Sequence, residues 1–255
     1  MTEQQQMSAS APWAQLMGDS VHAKVSKDGQ RVPKLYQDPE ASSDVQAATS
    51  PAPSRDARGA ASDRYHELIG LYQQMHNHGD SLNNIPAEST FDGRSLAPHL
   101  QVIADIIKQF DANTVLDYGC GKAQAYQGSV SLPSGAQEQS LKDFWGLESI
   151  TLYDPGFEPY SSLPTEIFDG VISTDVLEHC PEQDVAWIVD EMFGFARKFL
   201  FCTISCQLAI KHLPTGENAH ITVKSPQWWE GMFRQIAERH PDVRYVAVCY
   251  GHSAE

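Results

Sequence analysis

The chain has 255 residues, 41% of them hydrophobic, and carries a formal net charge of −15 at pH 7. This length and composition suffice for one sizeable globular domain with an appended segment. The acidic excess argues against nucleic acids and anionic membranes as partners, because both attract proteins largely through cationic side chains. Five scattered cysteines without a CxxC pair favour a reducing compartment over a disulfide framework.

The first part of the chain differs in composition from the rest. Residues 37–62 are rich in serine, alanine and proline and contain almost no large apolar side chain. We therefore predict a flexible N-terminal tail over residues 1–60. The first ten residues lack the basic start and apolar core of a signal peptide, and no apolar run reaches the length of a transmembrane helix. These features predict a cytoplasmic protein.

Two helices are predicted next. After Ser62, a suitable N-cap, apolar residues recur at helical spacing: Tyr65, Leu68, Ile69, Tyr72 and Met75. A second apolar face follows, made of Leu96, Leu100, Ile103, Ile107 and Phe110. The segment between them reads as a loop, and we interpret residues 61–95 as a helical lid or cap.

Apolar strands and amphipathic helices alternate after residue 110. Strands are predicted in residues 113–119, 146–155, 168–175, 198–205 and 242–250, and helices in residues 182–197 and 225–240. Continuous apolar strands separated by helices indicate a parallel sheet covered on both faces. The predicted fold class is therefore α/β, with a doubly wound, mostly parallel sheet that forms one domain over residues 96–255.

The loop "DYGCGKA", residues 117–123, indicates a nucleotide or nucleoside site. A P-loop would need GxxxxGK followed by serine or threonine; Ala123 follows Lys122, and Leu116 stands where the first glycine belongs. A dinucleotide loop needs GxGxxG, but Gln124 occupies the third glycine position. An NAD-dependent oxidoreductase is thus the less favoured alternative.

The stretch "VLDYGCGKA" resembles motif I of the class I S-adenosylmethionine-dependent methyltransferases, in which an acid precedes GxGxG. Asp117, Gly119 and Gly121 fill this motif, and Ala123 takes the third small position. The stretch "ITLYDP" resembles the family's second motif, and "FDGVISTDVLEHCPEQD" resembles the fourth-strand motif of its small-molecule enzymes. The resemblance covers roughly residues 95–250.

The resemblance implies a Rossmann-like class I methyltransferase fold that binds S-adenosylmethionine at the carboxyl ends of these three strands. Asp117 would hold the cofactor's ammonium group, Asp154 would accept hydrogen bonds from its ribose hydroxyls, and Gly119 and Gly121 would let the backbone approach it. The other cofactor-binding candidates are Pro155, then Ser173, Thr174 and Asp175 beside the methionine part, and Arg94 beside the cofactor carboxylate.

The family's sheet ends in an antiparallel hairpin. Here either residues 220–223 supply a strand or the sheet is shortened.

Methyl transfer is an in-line displacement, so the protein must align the acceptor and exclude water. The candidate catalytic residues are His179, His220 and Asp175, while His76 and His78 either line the lid or cap a helix.

We expect a small-molecule acceptor with a sulfur, oxygen or nitrogen nucleophile, and prefer a thiol because it ionises without a base. A non-catalytic module that binds the cofactor is an alternative. No metal site is predicted, since Cys202, Cys206 and His212 fall short of four zinc ligands.

Overall fold

The structure, a computed structural model, describes residues 58–59, 61–130 and 139–251. The predicted tail thus lies outside the described residues except for Arg58 and Gly59. Within the described ranges, no helix combines the length and apolar character needed to cross a membrane.

The centre of the fold is a five-stranded sheet in which every pairing is parallel. Its strands are β1 (Thr114–Tyr118), β2 (Ser149–Tyr153), β3 (Phe168–Thr174), β4 (Ala196–Ser205) and β5 (Arg244–Tyr250). Their order across the sheet is β2-β1-β3-β4-β5. The order therefore reverses at β1, whose neighbours are β2 on one side and β3 on the other. In open α/β sheets, ligands bind at the carboxyl ends of the strands where this reversal occurs.

Five α-helices accompany the sheet in the described residues: α1 (Asp63–His78), α2 (Leu100–Gln109), α3 (Leu141–Trp145), α4 (Glu182–Phe195) and α5 (Pro226–Ala237). The Ser62 hydroxyl accepts a hydrogen bond from the Tyr65 amide, which confirms the predicted N-cap of α1. Ser225 caps α5 in the same way, with Pro226 in the first turn. The residues 129–130 and 139–140 form a separate antiparallel pair.

Alternate side chains of each strand enter two different cores, as expected for a sheet covered on both faces. On β1, Leu116 packs in the core built with α4 and α5, whereas Val115 packs in the core built with α2 and α3. On β4, Leu200 and Phe201 divide in the same way. The predicted α/β class with a parallel sheet between helices is therefore confirmed.

Residues 220–223 do not form a strand. Their backbone is engaged elsewhere: the His220 amide donates to the Asn218 side chain, and the Thr222 amide donates to the Glu178 carbonyl. Within the described residues the sheet ends at β5, which runs parallel to β4. Of the two alternatives left open by the sequence, the shortened sheet is the one observed.

Residues at and before the start of α1 form hydrogen bonds with α4. The Ser62 amide donates to Asp184 Oδ1 at 3.0 Å, and Arg58 Nε donates to Glu191 Oε2 at 2.9 Å. The same guanidinium also donates to the hydroxyls of Tyr153 and Tyr118, at 2.8 and 3.2 Å. These bonds hold α1 over the carboxyl edge of the sheet. They also show that the folded part of the chain includes Arg58, upstream of the boundary suggested by composition.

Candidate functional site

A cavity lies at the carboxyl ends of β1, β2 and β3, where the strand order reverses. Its volume is about 950 Å³ when the open solvent at its mouth is included. The loops after the three strands form its floor, while α1 and residues 91–96 form the facing wall. Because Asp117 is in register with Leu152 of β2 and Ile172 of β3, the acids that follow the three strands meet at this edge.

The loop after β1 is shaped by its two glycines. Gly119 has a φ of +85°, and a Cβ there would lie 2.3 Å from the Val176 side chain. Gly121 has a φ of +57°, and a Cβ there would lie 2.2 Å from the Phe91 carbonyl oxygen. Both positions favour glycine because of the backbone angle and because a neighbouring loop packs against them. The glycines thus serve the packing of the cavity wall itself.

Asp117, one residue before the end of β1, is a buried carboxylate, 3% exposed, in the cavity wall. The Tyr126 hydroxyl donates to its Oδ2 at 2.6 Å, whereas its Oδ1 is buried and has no hydrogen-bond partner among the described residues. Burial raises the pKa of Asp117 to about 7, with a smaller contribution from the charge of Asp154, while the bond from Tyr126 opposes the shift. A buried acceptor without a donor is costly. The site is therefore suited to a cationic donor from a ligand.

Asp154 follows β2 and joins two loops. Its Oδ2 accepts a hydrogen bond from the Gly121 amide and its Oδ1 accepts one from the Gly156 amide, both at 2.8 Å. Desolvation raises the pKa of Asp154, against the effect of these backbone donors. Each carboxylate oxygen can accept a second hydrogen bond. Asp154 and Pro155 both line the cavity, so this carboxylate can also bind hydroxyls of a ligand.

The end of β3 brings two of its three predicted residues to the cavity. Thr174 and Asp175 line it, and Asp175 adopts a φ of +57°, which is uncommon for a residue with a side chain. This carboxylate is held by Thr203, whose hydroxyl donates to Oδ1 at 2.7 Å. Ser173 is only 1% exposed and does not line the cavity. It lies within the strand, so its side chain points to the opposite face from that of Thr174.

Arg94 lies outside the cavity. Its side chain is 78% exposed, and its Nε pairs with Asp92 Oδ2 at 2.7 Å. Its two neighbours, Gly93 and Ser95, do line the cavity. The predicted contact of Arg94 with a cofactor carboxylate is therefore not supported by this arrangement, because its side chain projects to the solvent side of the 91–96 segment.

The two candidate catalytic histidines lie side by side, with ring centroids 4.9 Å apart. His179 lines the cavity, whereas His220 does not. Nδ1 of His179 is 2.7 Å from the Ala219 carbonyl oxygen, and Nδ1 of His220 is 2.6 Å from the Gln207 carbonyl oxygen. A carbonyl oxygen can only accept, so Nδ1 carries the proton in both rings. Only His179 is placed to meet a ligand in the cavity directly.

His76 also lines the cavity, and its role was left open between lid and helix cap. Its ring is 4% exposed and lies between Phe91 and Phe157, with centroids 5.1 and 5.0 Å away. Lys122 Nζ is 3.1 Å from its Nδ1. Burial, and secondarily the charge of Lys122, lowers the pKa of His76 to about 3. His76 is thus a neutral part of the lid wall, while His78 at the helix end is exposed.

The sequence did not reveal Tyr126 or Tyr72 as site residues. Tyr126 reaches back nine positions to bind Asp117, and Tyr72 donates to the carbonyl oxygens of His179 and Ala219. Tyr72 could be recognised only as part of an apolar helix face. Tyr126 belongs to no apolar periodicity in the sequence by which it could be recognised.

No family model, curated protein or solved structure matches this chain. Among the described residues, no group of three or more histidine, cysteine, aspartate or glutamate side chains is placed to hold a metal ion. The structure therefore defines an α/β protein with a cavity at the reversal point of a parallel sheet, bordered by carboxylates from three strand ends.

Proposed function

We propose that this protein is a class I S-adenosylmethionine-dependent methyltransferase that acts on a small molecule. The observation that carries the proposal is the Asp117 carboxylate, which belongs to a cavity-lining residue and whose buried Oδ1 has no donor among the described residues. The ammonium group of S-adenosylmethionine is a donor of the required charge. A charged hydrogen bond there would offset the desolvation of the carboxylate.

The other walls of the cavity fit the remaining parts of this cofactor. Asp154, at the end of the neighbouring strand, would bind the ribose hydroxyls, with Pro155 beside the nucleoside. Thr174 and Asp175 would lie near the methionine part. When bound, the cofactor supplies a methyl group on a positively charged sulfur. A sulfonium and an ammonium both favour the acidic surroundings that Asp117, Asp154 and Asp175 create.

The proposed fold is a shortened form of the Rossmann-like methyltransferase sheet, since β5 ends it without an antiparallel hairpin in the described residues. The wall formed by α1 and residues 91–96 restricts the cavity, which suits a small acceptor. The net charge of −15 opposes binding of a nucleic-acid acceptor. A cytoplasmic location stays a prediction from the sequence.

A thermal-shift titration tests the proposal. S-Adenosylmethionine or S-adenosylhomocysteine at a hundred times its dissociation constant adds about 2.7 kcal/mol of stability. This should raise the midpoint of unfolding by about 5 to 10 °C. We expect Asp154→Ala to lose most of the shift, because it removes the ribose acceptor and the bond to the Gly121 amide.

The matched control is Glu158→Ala, an exposed acid four residues further along, which should keep the full shift. For each variant, the shift is the difference between the unfolding midpoints of its bound and free forms, so a change in intrinsic stability does not affect it. A shift with NAD(H) alone would replace the proposal with the oxidoreductase alternative. The absence of a shift with either adenosyl ligand would refute it.

A further inference from the structure

The imidazole of His179 lines the cavity and uses only one of its two nitrogens in a hydrogen bond among the described residues. His179 donates its Nδ1 proton to the Ala219 carbonyl, and its Nε2 makes no hydrogen bond to any of the described residues. Tyr72 donates to the carbonyl oxygens of both His179 and Ala219, at 3.0 and 2.9 Å. Tyr72 of α1 therefore holds the backbone of both His179 and its hydrogen-bond partner Ala219. This arrangement fixes the tautomer and leaves Nε2 as an acceptor for a ligand.

The imidazole stays neutral at physiological pH. Desolvation in the cavity wall lowers the pKa of His179 to about 3, and the nearby His220 and Lys211 add to the effect. The bond to the Ala219 carbonyl acts in the opposite direction but is weaker. A ring held neutral in this way is available to accept a hydrogen bond at neutral pH.

The surroundings of His179 are aromatic. The rings of Tyr72 and Phe91 meet it edge-on, with centroids 5.3 and 5.5 Å away. The carboxylate of Asp175, also at the cavity, is already bound by Thr203. An acceptor that enters beside His179 thus meets apolar ring edges and one neutral acceptor nitrogen. That combination suits an uncharged molecule that carries a single polar hydrogen.

We propose that His179 Nε2 binds the hydrogen of a neutral hydroxyl or thiol acceptor and takes it as a proton during methyl transfer. This inference rests on the proposed function. The acceptor oxygen or sulfur forms a bond to the methyl carbon, and the carbon–sulfur bond of the sulfonium breaks with its electron pair left on sulfur. The released proton moves to Nε2 and from there to solvent. A base in this position removes the reason to prefer a self-ionising thiol, since a hydroxyl gains more from it.

The test uses nuclear magnetic resonance of the histidine ring nitrogens in the protein saturated with S-adenosylhomocysteine. His179→Asn identifies the signal. It also preserves the structure, because the asparagine amide can still donate to Ala219 while it lacks the basic nitrogen. His78→Gln, at an exposed histidine, is the matched control. We expect Nε2 of His179 to stay unprotonated from pH 8 to pH 5.

The probes are phenol and thiophenol, with anisole as the analogue that lacks the polar hydrogen. Phenol or thiophenol should shift the Nε2 resonance, whereas anisole should not. The affinity of the responding probe should fall about threefold to tenfold in His179→Asn, as for one neutral hydrogen bond, while anisole affinity stays constant. Methyl transfer to that probe should fall by a larger factor than its affinity, because the variant also lacks the proton acceptor.

Failure of the wild-type protein to bind S-adenosylhomocysteine would refute the proposed function itself. If the cofactor product binds but neither phenol nor thiophenol perturbs Nε2 more than anisole does, the role of His179 is refuted and the function stands. Protonation of Nε2 at pH 8 would also overturn the inference, because the nitrogen could then accept neither a hydrogen bond nor a proton.

Discussion

Replacement of Asp117 by asparagine is expected to weaken the binding of S-adenosylhomocysteine at pH 8 by about tenfold to 100-fold. The change removes the negative charge that would bind the ligand's ammonium group, and hydrogen bonds to charged groups contribute about 1.5 to 3 kcal/mol. Asparagine has nearly the same shape, so the contact with Tyr126 can be retained. Calorimetric titration of both proteins measures the loss.

The pH dependence of the wild-type protein gives an independent readout of the same contact. The pKa of Asp117, about 7, lies above its value in the unfolded chain, so this group favours the folded state below about pH 4. That contribution is lost as the pH rises to 7. Without ligand, the Asp117→Asn protein should not lose this contribution to stability as the pH rises. At pH 8 it should be at least as stable as the wild type.

A cationic ligand should lower the pKa of Asp117, so binding near pH 6 should release a proton that calorimetry in buffers of different ionisation enthalpy can detect. 5′-Methylthioadenosine, which lacks the ammonium group, is the matched ligand. It should release no proton and should bind Asp117→Asn as tightly as the wild type. If the asparagine variant loses affinity equally for both ligands, the ammonium group is not what Asp117 recognises.

Gly121→Ala should damage both stability and binding. The new Cβ would lie 2.2 Å from the backbone oxygen of Phe91, at a φ of +57° that alanine adopts only with strain. The Lys122 amide, which donates to the same oxygen at 2.7 Å, must then shift with the loop. We expect the free energy of unfolding to fall by about 2 to 3 kcal/mol. Urea denaturation measures this change.

The displaced loop should also withdraw the Gly121 amide from Asp154 and lower the affinity for S-adenosylhomocysteine at least tenfold. Gly128→Ala is the matched control, since a Cβ there meets no atom within 4 Å. Its stability should stay within about 0.5 kcal/mol of the wild type. Equal stability of the two alanine variants would show that the loop is not constrained by Phe91.

The strands and their parallel direction could be predicted because each is a short apolar run, and amphipathic helices follow β3 and β4 before the next strand. The parallel arrangement then places the residues after each strand at one edge. This is why Asp117, Asp154 and Asp175 were expected to lie together, and they do line one cavity. The sequence left open whether residues 220–223 add a strand or the sheet is shortened, because the answer depends on loop contacts such as that of Thr222 with Glu178.

The rest of the site could not be predicted, because a residue's place in a motif does not show which way its side chain points. Ser173 belongs to the same motif as Thr174, but strand alternation turns it away from the cavity. Arg94 is adjacent in sequence to lining residues, yet its side chain faces solvent. The partners that define the chemistry, Tyr126 for Asp117 and Ala219 for His179, come from other loops. Only the packed structure brings them together.

The bonds between Arg58 and α4 set a practical limit on how the protein can be shortened for expression. Composition would place the cut at residue 61, which keeps all of α1 but discards Arg58. Glu191 is 8% exposed and would lose its cation, retaining the Tyr118 hydroxyl as a donor. Removal of one partner from a buried ion pair is strongly destabilising. A truncated protein should therefore begin upstream of Arg58, although the preceding sequence resembles a dispensable linker.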